Sequence, residues 1–121
     1  MKKNLLYLFV FLSLNLSSQT TDWVKACGGP NSDKGISIGT DSLGFIYISG
    51  FFNGDADFGP FHLTASYSTN KNMFLAKMDS LGNFLWAVAG TGGPYDDRAL
   101  GMHVTPGGDV FLTGTFWGYI E

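Results

Sequence analysis

The chain has one cysteine and few charged residues, and each scarcity excludes a class of protein. A single cysteine, Cys27, cannot form an intrachain disulfide, so packing or partners must supply the stability. Charged residues make up 14% of the 121 residues, with seven basic against ten acidic side chains. A mildly acidic chain lacks the positive patches that bind nucleic acid or an anionic membrane surface. We therefore expect no nucleic-acid partner.

Long apolar runs are also scarce: the sequence has one, residues 5–12, directly after the basic pair Lys2 and Lys3. A basic start, a short uncharged core and small polar residues at Ser17 and Ser18 are typical of a secretory signal peptide. The core is too short for a stable bilayer span. We expect residues 1–20 to be a signal peptide of an exported protein, secreted or at the cell surface, with no membrane span in the mature chain.

Residues 23–54 recur at 86–118, with a period of 63 residues from Trp23 to Trp86. After one inserted residue, further pairs match: Pro30 with Pro94, Asp33 with Asp97, Gly44 with Gly108, Gly50 with Gly114, Phe52 with Phe116, and Gly54 with Gly118. Such self-similarity indicates an array in which each unit buries its apolar face against the next. We divide the chain into a first repeat unit at 21–85 and a second, shorter one at 86–121.

Short runs rich in β-branched and aromatic residues alternate with glycine, asparagine, aspartate and proline, which predicts an all-β fold without helices. The predicted strands are 36–38, 45–49, 61–64, 74–77 and 84–89. Turns with Asp at the first position and Gly at the last, such as Asp41 to Gly44 and Asp79 to Gly82, predict hairpins. We expect 35–40 to pair with 45–52, and 73–78 to pair with 84–89. Cys27 is predicted to fill a small apolar position in a strand.

The string from Trp23 through Gly28-Gly29, Asp33 and Asp41-Ser42-Leu43-Gly44 to Gly59-Pro60 resembles the SBBP family of β-propeller repeats, and 72–86 is similar to the end of the same unit. The resemblance covers essentially all of residues 22–121. It implies a propeller-type blade in an exported or cell-surface bacterial protein, common in the Bacteroidetes and often ending in a type IX secretion sorting domain. It implies an architecture and a compartment, with no catalytic residue set.

The mature part covers roughly 1.6 units, whereas a closed propeller needs four to eight blades. We therefore expect an incomplete propeller of about one complete blade plus part of a second. The second copy stops in mid-unit, within 118–121. This predicts the N-terminal part of a longer surface protein, or a broken gene, whose partners are further blades of the same or a longer chain.

A calcium loop is the first chemical hypothesis, because Asn53, Asp55 and Asp57 place oxygen side chains at alternate positions before Gly59. An EF-hand also requires a bidentate Glu several residues later, which is missing. In the second copy Asp55 and Asp57 align with Tyr119 and Glu121, so only one of the two carboxylates is retained. The alternative is an ordinary turn of the repeat into an outer strand. No catalytic site, phosphate loop or zinc spacing is present.

Other chemistry-bearing residues favour structural roles. Asp33 and Asp97 recur after Gly-Gly-Pro, which favours turn aspartates that accept backbone N–H groups. His62 and His103 occupy unmatched positions and are expected to be surface or packed residues. Trp23 and Trp86 recur once per unit, which favours a role between blades. Trp117 replaces Asn53 in the second copy and raises the possibility of glycan stacking.

We expect a protein that is not an enzyme, and of three functions considered the first is favoured and the other two are alternatives. The first is a non-enzymatic, exported repeat segment acting as a scaffold or protein-interaction surface. The second is a glycan-binding or adhesive module. The third is part of a propeller hydrolase or lyase whose site lies on further blades.

Overall fold

The computed structural model describes residues 22–91 and 93–117, which form eight β-strands and no helix. The strands are β1 (Lys34–Thr40), β2 (Ile46–Asn53), β3 (Asp55–Phe58), β4 (Phe61–Thr64), β5 (Lys71–Met78), β6 (Phe84–Ala89), β7 (Arg98–Val104) and β8 (Val110–Thr115). The all-β prediction is confirmed. The signal peptide predicted at 1–20 and the last residues of the second copy, 118–121, lie outside the described residues.

Four antiparallel strands form one sheet in the order β1-β2-β5-β6. The two predicted hairpins are confirmed, since β1 pairs with β2 and β5 pairs with β6. A separate two-stranded ribbon, β3–β4, is inserted between β2 and β5, and β7–β8 form another two-stranded sheet. The described sheets are therefore open: one complete four-stranded sheet is followed by the first hairpin of a second. The boundary that the sequence predicts between the repeat units, at 85/86, falls inside β6, which contains Trp86.

The hairpin turns form as their sequences predict. In the β1–β2 turn, Asp41 Oδ1 accepts the N–H groups of Leu43 and Phe45, each at 3.0 Å. Gly44 completes this turn with a φ of 82°, a left-handed conformation that a residue with a Cβ adopts only under strain. The β5–β6 turn repeats the arrangement with Asp79 and Gly82. The aspartate fixes the start of the turn and the glycine allows its end.

The four-stranded sheet has two differently covered faces. We call the side that carries Ile38, Ile48, Phe52, Phe74 and Ala76 the hairpin face, because the β3–β4 ribbon packs over its β5–β6 half. We call the opposite side, with Gly39, Tyr47, Ser49, Phe51 and Lys77, the junction face. Phe52 and Tyr47 are 0% and 2% exposed, so the central strand β2 is buried on both sides, which agrees with its continuous run of apolar residues.

The ribbon corrects the prediction of a turn at 53–59. Residues 55–58 form strand β3, in which Ala56 and Phe58 are each 1% exposed while Asp55 and Asp57 point outward. Phe58 anchors the ribbon against Phe74, with ring centroids 4.7 Å apart. Apolar and acidic residues therefore alternate with the two-residue period of a half-buried strand, which places both carboxylates on its exposed side.

The segment before β1 also departs from expectation. Cys27 is exposed and lies outside any strand, so its prediction as a strand position was wrong. The segment is held instead by a bridge between Gly28 and Asp57, whose backbone groups exchange hydrogen bonds at 2.9 and 3.0 Å. Trp23 donates its Nε1–H to the carbonyl of Ser80 at 3.0 Å and covers Gly82. Contacts with the β3–β4 ribbon and the β5–β6 turn therefore position this segment.

The repeat persists in the geometry. The β1–β2 pairing has a register shift between Gly35 and Ser37, and the β7–β8 pairing has one at the matched residues Ala99 and Gly101. The turn aspartates match as well. Asp33 Oδ1 accepts the backbone N–H of Asn53 at 3.3 Å, and Asp97 Oδ1 accepts that of Trp117 at 3.1 Å. This confirms that both aspartates serve the backbone at the same point of each unit.

Replacing Asp97 by alanine is expected to lower the free energy of unfolding by about 1–3 kcal/mol. The reason is that the N–H of Trp117 loses its acceptor, the carboxylate of Asp97, and Asp97 is a buried residue, 7% exposed. Asp97→Asn keeps an acceptor oxygen and should lose less. Urea unfolding followed by circular dichroism measures both. An alanine variant as stable as the unsubstituted chain would contradict the assignment.

Candidate functional site on the two sheet faces

The second unit packs on the first through strand β7. On the junction face, Gly39 leaves room for Val104 and Met102, since a Cβ at Gly39 would lie 2.8 Å from Val104 Cγ2. In the alignment of the two repeat copies, Met102 and Val104 correspond to Ile38 and Thr40, which lie on the hairpin-face side of β1. Two different surfaces therefore meet: the hairpin-face side of the second unit contacts the junction face of the first.

The two β-turns at one end of this junction are hydrogen-bonded. The carbonyl of Pro106 accepts both the backbone N–H of Ser42 at 3.1 Å and its Oγ–H at 2.7 Å. Gly108 lies against Tyr47, because a Cβ there would be 3.0 Å from Tyr47 Oη. Ser42 and Pro106 occupy matched positions of the two copies. The matched turns therefore lie side by side, one per unit.

Behind these turns, Lys77 is enclosed by groups of the junction face. Its Nζ lies 4.0 Å from the centroid of the Phe45 ring and 4.9 Å from that of Tyr47. Asp41 Oδ2 is 3.9 Å from the ammonium and accepts the hydroxyl of Tyr47 at 3.0 Å. Although desolvation opposes the change, hydrogen bonds from Phe45, Tyr47 and Leu43 lower the pKa of Asp41. The carboxylate therefore stays ionised and pairs with an ammonium that is 19% exposed.

A second polar cluster fastens the other end of the junction. Asp96 accepts Arg98 Nη2 at 2.6 Å and the backbone N–H of Lys71 at 3.0 Å. These bonds lower the pKa of Asp96 to about 2. The guanidinium of Arg98 lies 5.5 Å from the centroid of the Phe51 ring. Residues of the second unit thus hold the start of β5 in the first.

Each unit also exposes a surface that the other buries. Tyr47 and Phe52 of β2 are 2% and 0% exposed, whereas the matched residues Phe111 and Phe116 are 61% and 47% exposed. On the hairpin face of the first unit, Ile38 is 72% exposed, although the matched Met102 is half-buried at the junction. The chain therefore presents apolar surface on the hairpin face of β1 and on the β8 strand.

A cavity of about 330 Å³ opens beside the exposed part of β1. Its walls include Cys27, Ile36, Ile38, Ile48, Phe58 and Phe74. Although Cys27 is exposed to solvent on one side, desolvation by its neighbours, followed by the charge of Asp33, raises the pKa of its thiol. A raised pKa reduces the thiolate fraction that a nucleophile needs. The Cys27 thiol beside this mostly apolar cavity is therefore poorly suited to act as a nucleophile.

The structure brings two of the three candidate calcium ligands together around a histidine. Asp57 Oδ1 lies 2.6 Å from His62 Nδ1, and Asp55 Oδ1 lies 3.6 Å from His62 Nε2. The hydrogen bond with Asp57 raises the pKa of His62. Asn53 points its amide at the carbonyl of Thr69, 3.4 Å away. The carboxylates engage opposite ring nitrogens, and among residues 22–91 and 93–117 no three His, Cys, Asp or Glu side chains are grouped to hold a metal ion.

Sequence reasoning missed the role of His62 because it treated 53–59 as a loop. In the β3–β4 register His62 is directly opposite Asp57, an opposed charge pair that the strand pattern could have revealed. His103 lies in β7 and is exposed.

Trp86 lies on the junction face, with its ring centroid 6.2 Å from that of Tyr47, and Trp117 is 67% exposed. A cavity of about 380 Å³ beside Trp117 is lined by Tyr95, Asp96, Arg98 and Thr115. Glycan stacking at Trp117 stays a prediction.

The Asp96 cluster gives a pH dependence. Its folded pKa of about 2 lies below the ordinary value of 3.8, so ionised Asp96 stabilises the fold above pH 4, and this contribution disappears as the pH falls from 3.8 towards 2. Asp96→Asn should therefore lower the free energy of unfolding by about 0.5–1 kcal/mol at pH 7, and by only a small part of that at pH 2, where the folded carboxyl is about half protonated. Urea unfolding at both pH values measures the difference. Asp109→Asn, in the exposed β7–β8 turn, is the control, and an equal loss at both pH values would contradict the prediction.

Comparison with known proteins agrees with the repeat geometry. A family described as the SBBP β-propeller repeat matches residues 22–55. An uncharacterised WD repeat-containing protein of Acanthamoeba polyphaga mimivirus is 26% identical over 110 aligned residues, which cover 78% of this chain and 8% of the viral protein. The chain therefore spans less than a tenth of that relative. No solved structure matches the chain.

The family match covers the segment before β1, both strands of the first hairpin and the start of β3. The described residues form one complete four-stranded sheet and the first hairpin of a second, without ring closure. Residues 22–55 thus match the SBBP β-propeller repeat, and they lie in an open, propeller-type all-β fold.

Proposed function

We propose that the chain is an exported, non-enzymatic repeat scaffold whose open sheet faces bind further β-propeller units. The observation that carries the proposal is the contrast between matched aromatic residues. Phe111 and Phe116 are 61% and 47% exposed where Tyr47 and Phe52 are 2% and 0% exposed. An aromatic side chain left in water forgoes roughly 1.5–3 kcal/mol of burial energy. Two such positions on one hairpin favour a covering element.

The first unit indicates which element fits. Strand β2 receives β5 along its free edge, with eight consecutive residue pairs from Ile46↔Met78 to Asn53↔Lys71. The matched strand β8 pairs with β7 alone among the described residues. An unpaired strand edge accepts a further strand through its backbone N–H and C=O groups. A unit with strands like β3 to β6 would supply both this strand and the cover for Phe116.

Adding such a unit should stabilise the chain. In the proposed fusion, residues 1–117 are followed by a second copy of residues 54–91, so that the copied Gly54 takes the place of Gly118. Covering the exposed half of Phe116 should raise the free energy of unfolding by about 1 kcal/mol. Urea unfolding should remain a single transition, and amide exchange in β8 should slow.

The matched control is the same fusion with Phe116→Asp, which should lose this gain. A fusion that unfolds in two separate steps, the first as easily as the original chain, would refute a scaffold built by adding units.

Export has its own test. Expression of the full chain in a bacterium with an intact secretion system should give a product that lacks about the first twenty residues, as intact mass spectrometry would show. Replacing Leu8 by Arg within the apolar run should leave the chain uncleaved and in the cytoplasm. Equal cleavage of both chains would contradict a signal peptide.

A further inference from the structure

The internal junction shows what the open surfaces fit. At this junction the hairpin-face side of β7, with Met102 and Val104, packs on the junction face of β1 and β2, with Gly39 and Tyr47. Because the two units are copies, each of these surfaces occurs a second time. The junction-face side of β8 carries Phe111, and the hairpin face of β1 carries Ile38.

No described residue covers the second copy of either surface, the one around Phe111 or the one around Ile38. Phe111 is 61% exposed, and Ile38 and Ile36 are 72% and 36% exposed. Ile38 lies at the rim of the apolar cavity whose walls include Ile48 and Phe74. The chain therefore carries both halves of a known contact, and the two halves lie on different units.

We propose that these surfaces bind each other between two copies of the chain, head to tail: the hairpin face around Ile38 of one copy packs against Phe111 of the next. This inference rests on the proposed function and names the chain itself as the repeat unit that is bound. Interfaces between two different surfaces do not close by two-fold symmetry, so the product is a ring or an open chain of copies.

Replacing each residue of the internal junction by its counterpart in the other repeat copy predicts the contacts between two chains. Tyr47 lies against Gly108 at the internal junction, so Phe111 meets Gly44 of the second copy, beside Leu43, which is 81% exposed. The Gly39–Val104 contact becomes one between His103 and Thr40, in which the Thr40 hydroxyl can bond the imidazole. The bulk of the imidazole keeps the two sheets further apart than at the internal junction.

The proposed contact also differs from the internal junction in the hydrogen bonds between the turns. Ser42 donates two hydrogen bonds to Pro106 at the internal junction, but in the association Pro106 occupies the donor position. Proline has neither a backbone N–H nor a hydroxyl, so neither bond is reproduced. The association is therefore weaker than the internal junction and reversible on dilution.

Substitution at each surface tests the inference in the full 121-residue chain. Sedimentation velocity between about 1 and 100 μM should show the unsubstituted chain growing to dimers and larger species. Ile38→Asp and Phe111→Asp, each on an exposed side chain, should both be monomeric with unchanged circular dichroism. An equimolar mixture should give a one-to-one dimer and nothing larger, because each variant keeps the surface that the other has lost.

Leu81→Asp is the matched control, because Leu81 is 70% exposed but lies in the β5–β6 turn, outside both surfaces. It should associate like the unsubstituted chain. The inference is overturned if the unsubstituted chain is monomeric throughout, if Leu81→Asp abolishes association, if either single variant still associates alone, or if the mixture stays monomeric.

The fusion experiment distinguishes the two proposals. If added units stabilise the chain but the mixture does not dimerise, the scaffold stands and a second copy is not its partner. If neither effect occurs, both proposals fail.

Discussion

Strand β2 has to be covered on both sides, and the other elements are arranged to meet this requirement. Its alternating residues Tyr47 and Phe52 are almost fully buried, on opposite faces. The β3–β4 ribbon covers one face and β7 contributes to covering the other. Apolar side chains in the middle of a sheet are favourable only when water is excluded from both faces. The ribbon inserted between β2 and β5, and the contact with the next unit, follow from this requirement.

The same requirement explains why a single unit is not self-sufficient. A unit can cover its hairpin face with its own ribbon, but its junction face depends on the neighbouring β7. Each unit is therefore completed by the one that follows, as in other repeat proteins whose stability is shared between neighbours. Within residues 22–91 and 93–117 one such contact is complete, fastened at one end by the Ser42–Pro106 turns and at the other by Asp96.

The strands, hairpins and turn aspartates could be predicted from sequence because their determinants are local. Asp41 and Gly44 lie within one turn, and the apolar run of β2 shows its double burial directly. The ribbon strand β3 was missed, because Asp55 and Asp57 satisfy a ligand pattern and a strand pattern equally well over so short a segment. The packing of Val104 on Gly39 could not be predicted, since it joins residues far apart in sequence, and the second copy has His103 in place of the glycine.

Lys77 has a consequence for how the junction can be observed. Its ammonium lies between the rings of Phe45 and Tyr47 and beside Asp41, and its side chain is 19% exposed. An amine in such an enclosure reacts with acylating reagents chiefly when the surrounding groups separate. The acylation rate at this one lysine, compared with that of the exposed Lys25, would therefore report how often this part of the sheet opens, without an added probe.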